Sequence, residues 1–306
     1  MKTRARNILK ALFPDTLLAA VRLFRGLPRR VARLERQVAL NAAHAARRAG
    51  AEPCGPALHS VLNRHEIQVY SQHGEDGIVQ FIFGEIGAPH RTFVEFGMGD
   101  GRECNTAWLS LHAGWRGLLL DADGERVAAA RAFYERMLGP GQEAVRIEQA
   151  WVTAENINDT IRSAGFAGEI DLLCIDLDGM DYWVWRALDV VRPRAVIVEY
   201  SAVLGPERAC TVPYDPGFSR WRAHPSGLYA GASLAALEKL GREKGYRLAG
   251  CNAHGVNAFF IREDLASDSI PAVSAARAWY PCEDLLLGLI TPERFAGVAH
   301  LPWEEV

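Results

Sequence analysis

From residue 60 onward the chain alternates short β-branched and aromatic runs with helix-length segments, and only the last two runs break that rhythm. Residues 92–96, 117–121, 145–149, 171–176, 195–200, 246–251 and 258–262 read as seven strands. The first five are separated by enough chain for crossover helices, and a helical pattern over 232–244 precedes the sixth, which predicts stacked βαβ units and a parallel sheet. Only residues 252–257 separate the sixth strand from the seventh. That is too short for a helical crossover, so the seventh strand must return antiparallel as a hairpin. At 306 residues, 49 % of them hydrophobic, the chain can bury a core of this size, and it contains no repeat that would suggest a solenoid.

Charge divides the chain unevenly. Net charge is −3, yet residues 1–50 carry 12 Lys and Arg against Asp15 and Glu35, leaving the remainder acidic. The first fifty residues read as a basic helical arm suited to an anionic membrane surface or to self-association, with the alternative of a solvated leader. Residues 51–69 read as a linker and lead-in helix, 70–265 as the main domain with a lid over 201–231, and 266–306 as a C-terminal extension. The six cysteines form no CxxC pair and no short framework, which excludes a zinc ribbon and fits a reducing cytoplasm. No signal peptide or membrane-spanning run is expected. The acidic body, and the lack of an NPPY-type tetrapeptide after the fourth strand, argue against a nucleic-acid partner.

The sharpest local pattern is the first strand running into Gly97, Gly99 and Gly101, a loop that lets backbone approach a ligand closely. Glu95 lies inside that strand, and Asp121 ends the next strand 24 residues beyond Gly97, where a ribose diol would be bound. This spacing says adenosine ligand for either a nicotinamide or a sulfonium cofactor. Glu95, the GxGxG spacing and the terminal hairpin favour S-adenosylmethionine, with Glu95 and Asp176 as further candidate cofactor contacts. An NAD-dependent oxidoreductase or epimerase would need GxGxxG and a Tyr-xxx-Lys pair, and Tyr200, Tyr214 and Tyr229 have no such lysine. A non-catalytic scaffold is the third alternative.

The segments TFVEFGMGDG, GWRGLLLDA and DLLCIDLDGMDY resemble the FkbM-type branch of class I S-adenosylmethionine-dependent methyltransferases over about residues 70–262. The resemblance implies a Rossmann-like α/β sheet of seven strands with the last antiparallel. It assigns Gly97, Gly99 and Gly101 to the methionine side of the cofactor, Asp121 to the ribose, Trp151 to the adenine, and the segment holding Gln72 to a cap over the pocket. The activity implied is methyl transfer to a hydroxyl of a sugar, glycan or secondary-metabolite acceptor.

Asp176, Asp178 and Asp181 follow the fourth strand, and Glu199 ends the fifth, at the edge where ligands of such sheets bind. Asp176, Asp178 and Glu199 are oxygen donors suited to Mg²⁺, as in metal-dependent sugar O-methyltransferases that they resemble. Paired aspartates after the fifth strand, usual in those enzymes, are absent. Without metal, Asp178 or Glu199 is a candidate general base, and Asp181 a first-turn helix residue. His224, in the aromatic and proline-rich lid, is a rival base, and His73 another. His254, in the hairpin turn, reads as structural.

Overall fold

The computed structural model describes residues 58–141, 143–284 and 287–306. The basic arm expected over 1–50 lies outside the described residues. Among those described, no helix is long and apolar enough to cross a membrane.

Seven strands form one sheet: β1 (Thr92–Phe96), β2 (Arg116–Asp121), β3 (Val145–Gln149), β4 (Gly168–Ile175), β5 (Val191–Glu199), β6 (Tyr246–Cys251) and β7 (Asn257–Arg262). Their order is β3-β2-β1-β4-β5-β7-β6. β7 runs antiparallel to both neighbours, while β1 to β5 are mutually parallel. The last strand in sequence is therefore not the last in space. It is inserted between β5 and β6, the arrangement of class I methyltransferase sheets, and the whole is a Rossmann-like α/β fold.

Alternation along the strands divides the core between two faces. Val94, Leu118, Leu173, Val196 and Phe260 belong to one apolar cluster with Trp185 and Leu237, whereas Phe93, Leu119, Leu172, Ile197 and Phe259 belong to another with Ile78 and Tyr134. The first face is covered by α4 (Ile157–Ser163), α5 (Asp181–Ala187) and α6 (Leu234–Glu243), the second by α1 (Glu75–Ile86), α2 (Ala107–His112) and α3 (Gly124–Leu138). Capping fixes where two of these begin. Asp123 accepts from the Glu125 and Arg126 amides at the start of α3, and Ser233 Oγ accepts from the Ala236 amide at the start of α6. α1 begins at Glu75 behind a left-handed Gly74.

Two boundaries differ from the sequence reading. The described part of the expected linker is core: Leu62 is fully buried, and Asn63 Nδ2 donates to Cys251 O of β6 at 2.8 Å. The expected lid and C-terminal extension are one packed cap. Residues Glu304–Glu305 pair antiparallel with Cys210–Thr211, and Val212, Leu228 and Tyr229 share an apolar cluster with Ile290, Val298 and Trp303.

Candidate functional site

All the expected site residues that follow β1, β2, β4 and β5 meet at the C-terminal edge of the sheet, where parallel strands end together. On the β1–β2 side the three glycines divide by role. A Cβ on Gly97 (φ 72°) would stand 1.8 Å from the Asp176 carbonyl oxygen, and one on Gly101 3.0 Å from Ala130 and Tyr134. Those two positions need glycine because the loop packs tightly against β4 and α3. Gly99 (φ 60°) has nothing within 4 Å of an added Cβ, so it alone leaves open space beside the backbone, the condition for a ligand to approach.

Asp121 is buried beneath that opening. Its Oδ2 accepts from the Gly99 amide at 2.9 Å and its Oδ1 from the Asp123 amide at 2.8 Å. A carboxylate has about four acceptor positions, so two remain for a diol. Glu95, expected at the cofactor, is turned inward. It accepts from the amides of Asn105 at 2.8 Å and Thr106 at 3.1 Å and from the Thr106 hydroxyl, fixing the start of α2. Burial raises its pKa, against the pull of those hydrogen bonds. Trp151 projects from the end of β3, exposed, with Nε1 donating to Pro216 O of the cap at 2.7 Å. Gln72 is exposed, and its backbone carbonyl accepts from Gln68 Nε2 at 3.0 Å.

Glu75 is a member of this edge that the sequence did not single out. Fully buried, it accepts from Asn252 Nδ2 at 2.6 Å, Asn257 Nδ2 at 2.8 Å and the His73 amide at 2.9 Å. Burial opposes its ionisation, but the His73 charge and the Asn257 hydrogen bond hold it below the usual glutamate range. The cap segment is thereby bolted to the β6–β7 turn, where His73 stacks on His254.

On the β4–β5 side the carboxylates crowd one another. Ligand atoms of Asp176, Asp178 and Glu199 all lie within 4.8 Å. Asp181 stands behind them, its oxygens accepting from the amides of Leu177 at 2.8 Å and Gly179 at 3.0 Å, which is the first-turn role expected of it. Asp176 has solvent at its own surface, yet dense protein surrounds it; that desolvation and the charges of Asp178 and Asp181 raise its pKa. Glu199 is raised well above the usual range by burial and then by Asp176 and Asp181.

The group facing this cluster is Arg220, which the sequence did not mark. Its Nη1 lies 3.4 Å from Asp178 Oδ1 and 4.0 Å from Glu199 Oε1, and its Nε donates to Gly227 O within the cap. Oxygen chemistry alone would suit Mg²⁺, but a guanidinium already stands against two of the three carboxylates, so a metal does not fit the site as arranged. Beside Glu199 and Arg220 a small cavity runs beneath the cap, lined also by Tyr200, Leu228 and Cys282. His224 does not line it. Its Nδ1 is hydrogen-bonded to Ser226 Oγ at 2.7 Å and its ring lies edge-on to His300.

No protein-family model matches the chain, and no curated protein matches it. Solved structures do. An O-methyltransferase from Bacillus cereus in complex with SAH is 16 % identical over 75 % of this chain and 89 % of its own, with a TM-score of 0.41. A magnesium protoporphyrin IX methyltransferase from Synechocystis with bound SAM is 14 % identical over 61 % and 77 %, with a TM-score of 0.37. Spermidine synthase from Thermotoga maritima is 14 % identical over 69 % and 63 %, with a TM-score of 0.38. Likenesses at this level assign neither an activity nor a residue role to the chain.

Proposed function

We propose that the protein is an S-adenosylmethionine-dependent O-methyltransferase acting on a hydroxyl of a sugar, glycan or secondary-metabolite acceptor. The observation that carries this reading is the open glycine at Gly99 above Asp121, on a sheet whose β7 is inserted antiparallel between β5 and β6. Dinucleotide-binding sheets keep that region parallel. When bound, the cofactor supplies an electrophilic methyl, which passes to the acceptor oxygen as the carbon–sulfur bond breaks. The chain's contribution is positional: Gly99 admits the cofactor, Asp121 holds its diol, and the acidic edge orients the acceptor hydroxyl.

Glu199 is the base in this reading. It lines the cavity at the end of β5, where an acceptor hydroxyl would lie within reach of its carboxylate as the oxygen is methylated. His224, bonded to Ser226 outside the cavity, takes no part. The test is transfer of labelled methyl from S-adenosylmethionine to a panel of hydroxylated acceptors. Glu199→Gln should lower the rate by about 100-fold or more, while His224→Ala changes it less than about threefold. The opposite pattern would move the base to the cap histidine.

A further inference from the structure

The acidic edge gathers Asp176, Asp178 and Glu199 within 4.8 Å of one another, and the cation that faces it comes from a different part of the chain. Three features fix Arg220 in that place. First, the cap packs directly on the turn that carries Asp178: a Cβ on Gly179 would stand 2.4 Å from Phe218 Cε1, so Phe218 lies flush against the glycine. Second, Asp178 itself has φ 53°, a left-handed conformation uncommon for a side-chain-bearing residue, followed at once by Gly179 at φ 144°. Third, the guanidinium is oriented from within the cap, because Nε–H is committed to Gly227 O while Nη1 faces Asp178 and Glu199. The Arg220 side chain is only 17 % exposed, although Asp178 is 69 % exposed. A solvated surface pair would leave both partners in water; here the arginine is sheltered and the carboxylate is not.

We propose that Arg220 is the resident cation of the acidic edge: carried in by the cap, it takes the place that a divalent metal would take between Asp178 and Glu199, so that docking the cap and neutralising the edge are one event. Two consequences distinguish this from an ordinary surface ion pair. Arg220 and a divalent cation exclude each other, since both need the same carboxylate oxygens. And the edge acquires its working charge only with the cap in place, which confines that state to the closed molecule. As a statement about control of the acceptor site, the proposal rests on the methyltransferase reading; as a statement about which cation the edge holds, it stands on the geometry above.

The test is a titration of the full-length protein with Mn²⁺ at low ionic strength, followed by the electron paramagnetic resonance signal of the free ion. Arg220→Met keeps an apolar stem of similar length and removes the charge. It should create a Mn²⁺ site at least about tenfold tighter than any in the wild type. Asp178→Asn added to Arg220→Met should abolish that site, and Arg220→Lys, which restores the charge, should return the wild-type behaviour. Should the methionine variant fail to fold, Asp178→Asn in the otherwise wild-type chain decides: unchanged Mn²⁺ affinity supports arginine as the occupant, and reduced affinity overturns it. Equal Mn²⁺ affinity in wild type and a folded Arg220→Met also overturns it. Calorimetry of the wild type with S-adenosylhomocysteine tests the methyltransferase reading separately, because neither result depends on the other.

Discussion

On the β1–β2 half of the sheet edge, Glu95 and Asp121 each accept from two backbone amides of their own neighbourhood; on the β4–β5 half, Asp176, Asp178 and Glu199 lie against one another, and Asp178 and Glu199 face an arginine from the cap. Amide donors offset part of the desolvation cost of such carboxylates, though burial still raises Glu95. Carboxylates pressed together raise one another's pKa, as Asp178 and Asp181 do for Asp176. The first half is held by its own backbone, and the second by a side chain from the cap.

That contrast can be broken most severely at Gly97. Its added Cβ would meet the Asp176 carbonyl at 1.8 Å, with backbone on both sides and no side chain able to move away. Gly97→Ala should therefore cost about 4 kcal/mol or more, or prevent folding, as measured by urea denaturation. Gly99 provides the counterpart. Asparagine tolerates the left-handed region, so Gly99→Asn should change stability by less than about 1 kcal/mol while weakening S-adenosylhomocysteine binding at least about tenfold. A stable Gly97→Ala, or a Gly99→Asn that binds normally, would remove the distinction between packing and ligand glycines.

Gly179→Ala acts on the other half. The new methyl meets Phe218, a side chain that can yield, so the expected loss is about 1–3 kcal/mol, with faster proteolysis within the cap and an intact sheet. Proteolysis unchanged from wild type would show that the cap is not seated on this turn.

The smallest effect is a pH dependence. Asp176 is raised by desolvation and by Asp178 and Asp181, to about 8. Its folded pKa lies above the unfolded one, so the folded protein binds more protons; this contribution favours folding at low pH and is lost as pH rises through the raised value. Asp176→Asn should leave the Tm unchanged near about pH 4 and raise it by about 2 °C near about pH 8, a margin kept small because solvent reaches the group. A Tm difference that is constant with pH would contradict crowding of these carboxylates.

The same contrast explains what could be read from the sequence. β1, β3 and β6 fall on their expected residues because each carries apolar residues at alternate positions, Val94 and Phe96, Val145 and Ile147, Tyr246 and Leu248. β4 and β5 begin earlier than expected, at Gly168 and Val191, where Glu169, Arg192, Pro193 and Arg194 disguise the strand. Pro193 is tolerated because pairing with β7 starts only at Ala195, so no ladder bond is lost on that side. Arg194 and Arg262 balance Glu169 at the opposite end of the sheet, charges no strand pattern would announce. The glycine loop and Asp121 are legible because Gly97, Gly99, Gly101 and Asp121 sit within one βαβ unit. Glu95 stands out in the strand pattern, but its partners do not: strand alternation points it at the Thr106 turn. Arg220 lies 42 residues from Asp178 and Trp303 lies 74 from Tyr229, contacts that no local spacing encodes.

The central claim, that the edge between Gly99 and Asp121 is built for a sulfonium cofactor, is tested most directly by isothermal titration calorimetry of the wild type with S-adenosylhomocysteine and, in parallel, with NADH. Binding of S-adenosylhomocysteine with a Kd in the micromolar range or tighter, about −8 kcal/mol or more favourable, and no heat from NADH, is the expected result. No binding of S-adenosylhomocysteine, or preferential binding of NADH, would contradict it.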